Sequence, residues 1–406
     1  MKITLIGAGL IGVTSAYFLT KAGYEVEVLE REDGPALQTS FANAGMLTPS
    51  MSDPWNSPGI LGNLISNLGR ADSPFLLRPK AIPSLVGWGL LFLNNSRKKK
   101  YLKNLHRSAD LACYSMEIMY DLRNDLNIQY QQIMTGSLKV FRDQKSLDHV
   151  AILSRQLDQH NKSFQILSQD EIATVEPSLE PILDKLCGAL YFPDDQAGNA
   201  YQFTCEMEKA ARKNGAIFHY GVSVDKLVKT GSNISFIQTN KGDYRADQYV
   251  ICAGSYSTLL ARSAGLNVPV RPAKGYSITM PLNGWNGGPR MPLIDDGFHA
   301  AITQIGDTIR VAGTAEFAGL DQSLNQERLD NLYKLLNEIY PSFAPHFDPK
   351  TVSEWAGLRP LSPDGSPFIG RTPIDNLYLN TGHGPLGWTM AAGSSKMLSD
   401  IIRREN

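Results

Sequence analysis

The stretch ITLIGAGLIGVTSAYFL, residues 3–19, decides the fold of this chain. Its first four residues are apolar or β-branched and predict a short buried strand, and the glycines that follow predict a tight turn. Residues 10–22 predict a helix with small and apolar residues on one face, which Gly23 ends. Residues 24–30, YEVEVLE, then predict a second strand. A strand–helix–strand beginning indicates a parallel sheet with helices on its faces.

The turn itself, GAGLIG at residues 7–12, has the spacing of a dinucleotide-binding fingerprint. Gly7 permits the tight turn, Gly9 lets the backbone approach a pyrophosphate, and Gly12 lets helix and strand pack closely. The free N–H groups at the start of the helix favour phosphate. Glu30 closes the second strand, where an acid hydrogen-bonds ribose hydroxyls and disfavours the extra phosphate of NADP. The segment therefore predicts a site for FAD or NAD.

A small, polar loop, QTSFANAGM at residues 38–46, follows the second strand. Its hydroxyls and its glycine suit a segment that lies along a pyrophosphate and the edge of a flavin ring. From composition alone, however, an ordinary turn explains it better, so this loop does not choose between FAD and NAD.

Composition excludes several classes of protein. The chain has 406 residues and a formal net charge of −1, which disfavours general nucleic-acid binding. With 42% hydrophobic and 19% charged residues, it is expected to fold rather than remain disordered. The four cysteines lack metal-site spacing, so no metal centre is predicted. The longest uncharged apolar run, residues 85–93, is about half as long as a membrane span.

The order of predicted elements indicates two interleaved domains. Residues 52–130 leave the first domain, beginning rich in proline and glycine and becoming helical and basic. Strands are predicted at residues 137–142, 188–192, 275–280, 300–304 and 308–312, and we expect them to form one antiparallel sheet. A helix at 201–214, strands at 248–253 and 376–380 and a helix at 389–403 return to the first domain. We therefore assign residues 1–51, 196–272 and 350–406 to a nucleotide-binding domain, and residues 52–195 and 273–349 to a substrate-binding domain.

Five motifs carry a family resemblance along nearly the whole chain: GAGLIG (7–12), TSFANAG (39–45), AKGYSIT (273–279), GLRPLSPDGSPFIG (357–370) and NTGHGPLGWTMAAGS (380–394). Together they resemble the D-amino acid oxidase superfamily of FAD-dependent oxidoreductases, and within it the bacterial D-amino acid dehydrogenases of the small-subunit type. The resemblance implies a two-domain fold that combines α/β and α+β architecture. A Rossmann-like FAD-binding domain would hold FAD non-covalently and interleave with an antiparallel-sheet substrate-binding domain.

Three residues are candidates for substrate contact. In GLRP, a rigid Arg359 would bind a substrate carboxylate through two parallel hydrogen bonds, as the resemblance implies. The residues alone leave an ion pair with Asp364 equally plausible. Tyr276 either caps the active site or is a core aromatic residue. His383 either lines the substrate side or, as is more common for a lone histidine in a glycine loop, is structural.

The resemblance also implies the cofactor contacts. The helix that begins near Leu386 would direct its N-terminus at the flavin, where reduction creates negative charge. The residues expected to contact FAD are Gly7, Gly9, Leu10, Ile11, Gly12, Glu30, Arg31, Ser40, Asn43, Ala44, Gly45, Met46, Val224, Ala253, Gly254, Gly384, Leu386, Gly387, Trp388 and Thr389.

The implied activity is oxidative deamination of D-amino acids to 2-oxo acids and ammonia, by hydride transfer from Cα to flavin N5. The electrons would pass to an acceptor other than oxygen, such as a quinone or a respiratory chain component. A D-hydroxyproline dehydrogenase and a glycine- or sarcosine-type amine oxidase remain alternatives on the same scaffold. An alternative of another class is a non-catalytic dinucleotide-binding sensor docked at a membrane.

The segment from residue 55 to the basic cluster RKKK at 97–100 admits two interpretations. Its apolar residues and its positive charges suit an anionic membrane surface. A helical arm with solvated charges explains it as well. We expect a cytoplasmic protein. Because similar bacterial dehydrogenases are peripheral membrane proteins, contact with the cytoplasmic face of the inner membrane is a further hypothesis.

Overall fold

The computed structural model describes residues 1–62, 75–157 and 163–405. Helices in this part of the chain are α1 (Leu10–Lys21), α2 (Ile82–Asn95), α3 (Lys98–Leu126), α4 (Gln144–Leu157), α5 (Gln169–Val175), α6 (Ala200–Lys213), α7 (Ser257–Ser263), α8 (Gln326–Ile339) and α9 (Gly387–Glu405). Strands are β1 (Lys2–Ile6), β2 (Glu25–Leu29), β3 (Met46–Leu47), β4 (Phe75–Leu77), β5 (Ser137–Phe141), β6 (Gln165–Leu167), β7 (Gly188–Phe192), β8 (Gln196–Ala197), β9 (Ile217–His219), β10 (Val224–Thr230), β11 (Asn233–Thr239), β12 (Gly242–Tyr244), β13 (Gln248–Ile251), β14 (Arg271–Pro281), β15 (Leu293–Asp295), β16 (Ala300–Ile305), β17 (Thr308–Phe317), β18 (Ser353–Leu361), β19 (Phe368–Arg371) and β20 (Leu377–Thr381).

The first sheet has the strand order β19-β20-β13-β1-β2-β9. Its strands run parallel, except that β19 is antiparallel to β20. The apolar runs of β1 and β2 are buried because helices cover the sheet. The predicted strand–turn–helix–strand beginning is confirmed, with α1 starting directly after the glycine turn.

Helix α1 packs on this sheet and lies against α6 and α9, and α3 crosses α9. The crossing of α3 and α9 is close because a glycine lies at the contact. A Cβ on Gly393 would be 2.8 Å from Cβ of Ser115, whose hydroxyl accepts the Gly393 N–H at 3.0 Å. The long excursion after the first domain is thereby fixed to the last helix of the chain.

The second sheet has the order β18-β14-β17-β16-β15-β5-β7-β6, with β4 beside β17. The expectation of an antiparallel sheet holds for most pairs, but β5 runs parallel to β15 and β4 runs parallel to β17. Each of these two strands reaches its partner after a long connection, which removes the hairpin constraint. Residues 353–361 pair with β14 in this sheet, although the prediction grouped residues 350–406 with the first domain.

The two faces of β14 have different surroundings. On one face, Tyr276 and Ile278 belong to an apolar cluster that includes Leu332 and Leu336 of α8. On the other face, the hydroxyl of Ser277 donates to the carbonyl of Ala42 at 2.7 Å. The second face of the sheet is therefore turned towards the first domain and its glycine turn.

Among residues 1–62, 75–157 and 163–405, no helix combines the length and the apolar character that crossing a lipid bilayer requires.

Candidate active site

A cavity of about 1200 Å³ lies between the two sheets. Its walls come from the glycine turn after β1, residues 36–46, the ends of β2 and β13, the face of β14 and β18, and the loop before α9. All the motifs that carry the family resemblance contribute to these walls. The carboxyl ends of the parallel strands and one face of the second sheet thus enclose a single space.

The glycine turn has the geometry that its spacing predicts. Gly7 has φ +105°, and a Cβ there would lie 2.8 Å from the carbonyl oxygen of Cys252. A Cβ on Gly12 would lie 1.8 Å from the carbonyl oxygen of Gly7. Neither position accepts a side chain, so the turn can bring the start of α1 to the cavity only with glycine at both positions.

The acid at the end of β2 closes the turn from the other side. One carboxylate oxygen of Glu30 accepts the Ala8 N–H at 2.6 Å, and the other accepts the Glu32 N–H at 3.0 Å. The next residue, Arg31, stacks its guanidinium 4.0 Å from the ring centroid of Tyr256. These contacts hold a carboxylate at the edge of the cavity, where a ribose hydroxyl would find an acceptor.

Hydrogen bonds from the second sheet hold the loop at residues 40–46. Ala42 and Ala44 accept hydrogen bonds through their carbonyls from Ser277 and Thr303. The carbonyl of Asn43 accepts from Arg310 at 3.1 Å. The loop is therefore fixed between the domains and forms a wall of the cavity, which its composition did not establish.

The loop before α9 also opens on the cavity. Residues 384–386 form a short 3-10 helix, and α9 begins at Gly387 with no acidic residue in its first turn. The imidazole of His383 is 2% exposed, and its Nε2 lies 3.0 Å from the hydroxyl of Ser394. Burial lowers the pKa of His383 to about 3, so the ring is neutral. Its contact with Ser394 fixes the loop to α9, which is the structural interpretation.

The guanidinium of Arg359 lies half-buried in the cavity wall. Its Nη1 donates to the carbonyl of Thr314 at 2.8 Å, and its Cζ is 5.9 Å from the ring centroid of Trp55. Across the described residues no carboxylate lies within ion-pair distance of it, and Asp364 instead accepts the Ser366 N–H. Burial lowers the pKa of Arg359 to about 10, so the group is still cationic at neutral pH. A positive charge that no described carboxylate neutralises therefore faces the cavity.

A pair of glycines forms the floor beneath this charge. Gly275 of β14 is paired with Gly357 of β18. A Cβ on Gly275 would lie 2.2 Å from Nη1 of Arg359, and a Cβ on Gly357 would lie 1.9 Å from the ring of Trp355. The side chains of Arg359 and Trp355 thus occupy the space that a Cβ at Gly275 or Gly357 would need.

Tyr276 lies on the opposite face of the same strand. Its hydroxyl donates to the carboxylate of Glu316, which also pairs with Arg78 and Lys274. Burial and Glu316 raise the pKa of the Tyr276 hydroxyl. The structure therefore does not bring this hydroxyl to Arg359, and the interpretation of Tyr276 as a core aromatic residue fits it better.

Most of the residues predicted to contact the cofactor line this one cavity. They are Gly7, Gly9, Leu10, Ile11, Glu30, Arg31, Ser40, Asn43, Ala44, Met46, Val224, Ala253, Gly254, Gly384, Leu386, Gly387 and Trp388. The other three lie behind its wall. Gly12 packs under the turn, Gly45 (φ +71°) packs against Ile305, and the Thr389 hydroxyl accepts the Thr48 N–H.

Sequence reasoning missed the aromatic residues around the charge. Trp55 lies 5.4 Å from Phe75, which in turn lies 6.0 Å from His299, measured between ring centroids. In the sequence, Trp55 is only the first residue of an apolar stretch. No local pattern indicated that it lies over Arg359, more than three hundred positions later in the chain.

Comparison with known proteins agrees with this site. The family described as FAD dependent oxidoreductase matches residues 2–401. The chain belongs to this family of FAD-dependent oxidoreductases. It is 41% identical over 402 residues to the D-amino acid dehydrogenase of Allorhizobium ampelinum, covering 99% of this chain and 94% of that protein. Identity to the D-amino acid dehydrogenase of Bradyrhizobium diazoefficiens is 39%, covering 99% and 95%.

Solved structures with low sequence identity to this chain share its fold. Glycine oxidase from Geobacillus kaustophilus superposes with a TM-score of 0.76 at 20% identity, covering 99% of this chain and 94% of that one. L-proline dehydrogenase from P. horikoshii superposes with a TM-score of 0.75 at 19% identity, covering 100% and 94%. The fold is therefore common to enzymes whose names refer to different amine substrates.

The residues of the cavity fit FAD. The first turn of α1 carries no acidic residue, and the atom nearest to a Cβ placed on Gly9 is the Ser40 hydroxyl at 3.5 Å, so a pyrophosphate can approach the backbone. Glu30 supplies the acceptor for the ribose. The start of α9 supplies N–H groups to a second part of the same cavity.

Proposed function

We propose that this protein is an FAD-dependent D-amino acid dehydrogenase, which converts D-amino acids to 2-oxo acids and ammonia. The observation that carries the proposal is the cationic Arg359, which faces the cofactor cavity with no carboxylate partner among the described residues. A substrate carboxylate completes such a site. The two rhizobial relatives, similar over nearly the whole chain, support the D-amino acid as substrate.

The side chains of the cavity position the substrate. Nη1 of Arg359 is engaged by the Thr314 carbonyl, which leaves Nε and Nη2 to form two parallel hydrogen bonds with a carboxylate. Trp55 covers the guanidinium from one side and limits the access of water. FAD, when bound, supplies the acceptor for the hydride of the substrate Cα.

Proton transfer in this proposal does not use the two titratable residues first suggested by the sequence. His383 is neutral and bonded to Ser394, and the Tyr276 hydroxyl is bonded to Glu316 on the far face of the sheet. With neither of these groups as the base, we propose that the amine of the substrate enters in its neutral form and that catalysis relies on positioning. We expect the alkaline form of the substrate to be the reactive one.

Anaerobic mixing of the purified protein with separate D- and L-amino acids tests the proposal. Loss of the flavin absorbance near 450 nm, about the usual wavelength for oxidised flavin, should occur with D-amino acids and not with their L-enantiomers. The panel includes glycine, sarcosine and D-hydroxyproline, which represent the alternative amine donors. Reduction by L-amino acids alone, or by none of these compounds, would overturn the proposal; the second result would favour the non-catalytic sensor.

The acceptor is proposed to be a membrane quinone rather than oxygen. Helix α2 exposes Ile82, Val86, Leu90 and Leu91, with exposed fractions of 43%, 57%, 66% and 44%. These residues recur every turn of the helix and form one apolar stripe. Lys80 and the basic residues 97–100 are exposed beside it. An apolar stripe flanked by positive charge suits the surface of an anionic bilayer. Residues 63–74 of the same segment lie outside the described part of the chain.

Sedimentation with vesicles tests the membrane contact. Wild-type protein should bind vesicles containing phosphatidylglycerol at low salt and should bind phosphatidylcholine vesicles weakly, because the charges attract anionic lipid. Leu90→Asn removes the most exposed apolar residue and should weaken binding without changing dye-coupled activity. Binding that is absent at low salt, or unaffected by Leu90→Asn, would argue for a solvated helical arm.

A further inference from the structure

One residue beside the proposed carboxylate clamp has an unusual backbone. Thr314 has φ +58°, in the left-handed region, where β-branched residues are rarely found. It is 7% exposed, and its hydroxyl has no hydrogen-bond partner among the described residues. Glycine or asparagine would adopt this conformation with less strain. Backbone strain of this kind persists only where the surrounding structure imposes it, and it is concentrated at functional sites.

The strain coincides with a β-bulge in β17. Lys274 pairs with Glu316 and Tyr276 pairs with Gly313, so Thr314 and Ala315 together oppose Gly275. At the same point β17 exchanges one neighbour for another, because β16 pairs with it up to Gly313 and β4 pairs with it from Ala315. The bulge turns one peptide group out of the ladder.

The peptide carbonyl that leaves the ladder is the one that meets Arg359. The distance from the Thr314 carbonyl oxygen to Nη1 is 2.8 Å, and the guanidinium rests on Gly275, the residue opposite the bulge. If Thr314 had a regular extended backbone, its carbonyl would point to a neighbouring strand of the sheet instead. The bulge therefore supplies the one hydrogen bond that orients the guanidinium within the described residues, while Nε and Nη2 stay free.

We propose that Thr314 is a positioning residue: its left-handed backbone aims the carbonyl at Nη1 of Arg359 and so presents the other nitrogens to a carboxylate. The inference rests on the proposed function, since it assumes that Arg359 binds the substrate carboxylate. It assigns the effect to the backbone of Thr314 and not to its side chain.

Two substitutions separate backbone from side chain. Thr314→Pro holds φ at about −65° and so excludes the left-handed conformation, whereas Thr314→Gly removes the side chain and favours that conformation. The measurement is the dissociation constant of benzoate, a carboxylate without an amine, from the change it causes in the flavin spectrum. Thr314→Pro should weaken binding about tenfold, the equivalent of one displaced hydrogen bond to a charged group, and Thr314→Gly should weaken it less than threefold.

A loss of benzoate binding in Thr314→Gly would overturn the proposal, because a packing role of the side chain predicts that glycine is not tolerated. Equal affinities for all three proteins would overturn it too. Thr314→Val has the same branching and the same strain as the wild type, so it should bind benzoate as the wild type does. If Thr314→Pro does not fold, a loss of binding in Thr314→Gly with none in Thr314→Val would still assign the effect to the side chain and overturn the proposal. Asn127→Gly is the matched control, since Asn127 has φ 48° at the end of α3, outside the cavity wall, and its replacement should leave benzoate binding unchanged.

Arg359→Ala distinguishes failure of this inference from failure of the proposed function. If Arg359→Ala binds benzoate as well as wild type does, the clamp itself is wrong. If Arg359→Ala loses binding while the Thr314 variants do not follow the predicted order, the clamp stands and the positioning role is wrong. The same proteins should show the effect of Thr314→Pro chiefly in KM for the amino acid, with a smaller effect in kcat.

Discussion

The glycine floor beneath Arg359 allows a test of the clamp that leaves the arginine itself unchanged. In Gly275→Ala, the new methyl carbon would lie 2.2 Å from Nη1, 2.5 Å from Cζ and 2.6 Å from Nη2. Ordinary contact between such atoms needs about 3.5 Å, so the guanidinium must move by roughly 1 Å. A displacement of this size at a positioning group costs on the order of 100-fold in rate. We expect kcat/KM for a D-amino acid to fall by about that factor.

The assay is dye-coupled turnover under steady-state conditions, with flavin content and thermal unfolding measured on the same samples. Gly275 does not have a positive φ, so alanine introduces a contact with the guanidinium and no backbone strain. The matched control is Gly89→Ala in α2, where, apart from the neighbouring backbone of the helix, no atom of the described residues lies within 4 Å of the new carbon and φ is ordinary. This control should keep full activity, and helix propensity should make it more stable by about 1 kcal/mol.

A double-mutant cycle makes the result specific to the contact. Once Arg359 is replaced by alanine, Gly275→Ala has no guanidinium to displace and should have little further effect. A Gly275→Ala enzyme that holds its full complement of FAD and keeps kcat/KM within about threefold of wild type would refute the reasoning. Equal losses from Gly275→Ala in the presence and absence of Arg359 would also refute it, because the damage would then come from the strand.

Three further predictions follow from the site and from the junction of the two sheets. Arg359→Ala should lower kcat/KM by about 100- to 10,000-fold, since two hydrogen bonds between charged groups contribute roughly 1.5–3 kcal/mol each, and Arg359→Lys should restore only part of it. Gly12→Ala, whose Cβ would lie 1.8 Å from the Gly7 carbonyl oxygen, should purify without flavin, as the absorbance ratio at about 450 and 280 nm will report. Burial raises the pKa of Asp195 to about 6 from 3.8, so wild-type stability should fall by about 3 kcal/mol as pH rises through that interval. Asp195→Asn should therefore unfold at a higher temperature than wild type at neutral pH and at the same temperature near pH 4, about the ordinary pKa of an aspartate; a constant difference across pH would contradict this.

The cofactor half of the site was predictable because its chemistry is local. A strand, a glycine turn and the start of a helix follow one another within residues 1–12. Each glycine of GAGLIG is required at its position for a separate steric reason. Strand periodicity and turn residues also gave most elements of both sheets. The pairing of residues 353–361 was not predictable in this way, because an edge strand looks the same in sequence whichever sheet it joins.

The substrate half of the site depends on contacts between distant parts of the chain. In β14 both faces are buried, so periodicity does not show that Tyr276 faces α8 while Gly275 faces Arg359. The Thr314 carbonyl reaches an arginine 45 positions away because of a β-bulge. A threonine in a strand sequence does not predict such a bulge. Arg359 itself was found because a family resemblance singled it out; the residues alone fitted an ion pair with Asp364 equally well.

Arg359 has no counter-ion within residues 1–62, 75–157 and 163–405, and this connects the stability of the protein with its activity. The half-buried guanidinium loses part of its hydration, and this desolvation lowers its pKa. An acidic neighbour would restore the balance, but it would also compete with the substrate for Nε and Nη2. The fold instead engages Nη1 with a neutral carbonyl and covers the group with Trp55, which leaves the charge to be completed by a bound carboxylate. Ligand binding and folding are then linked, so a carboxylate ligand should stabilise wild-type protein against heat and should lose this effect when Arg359 is replaced.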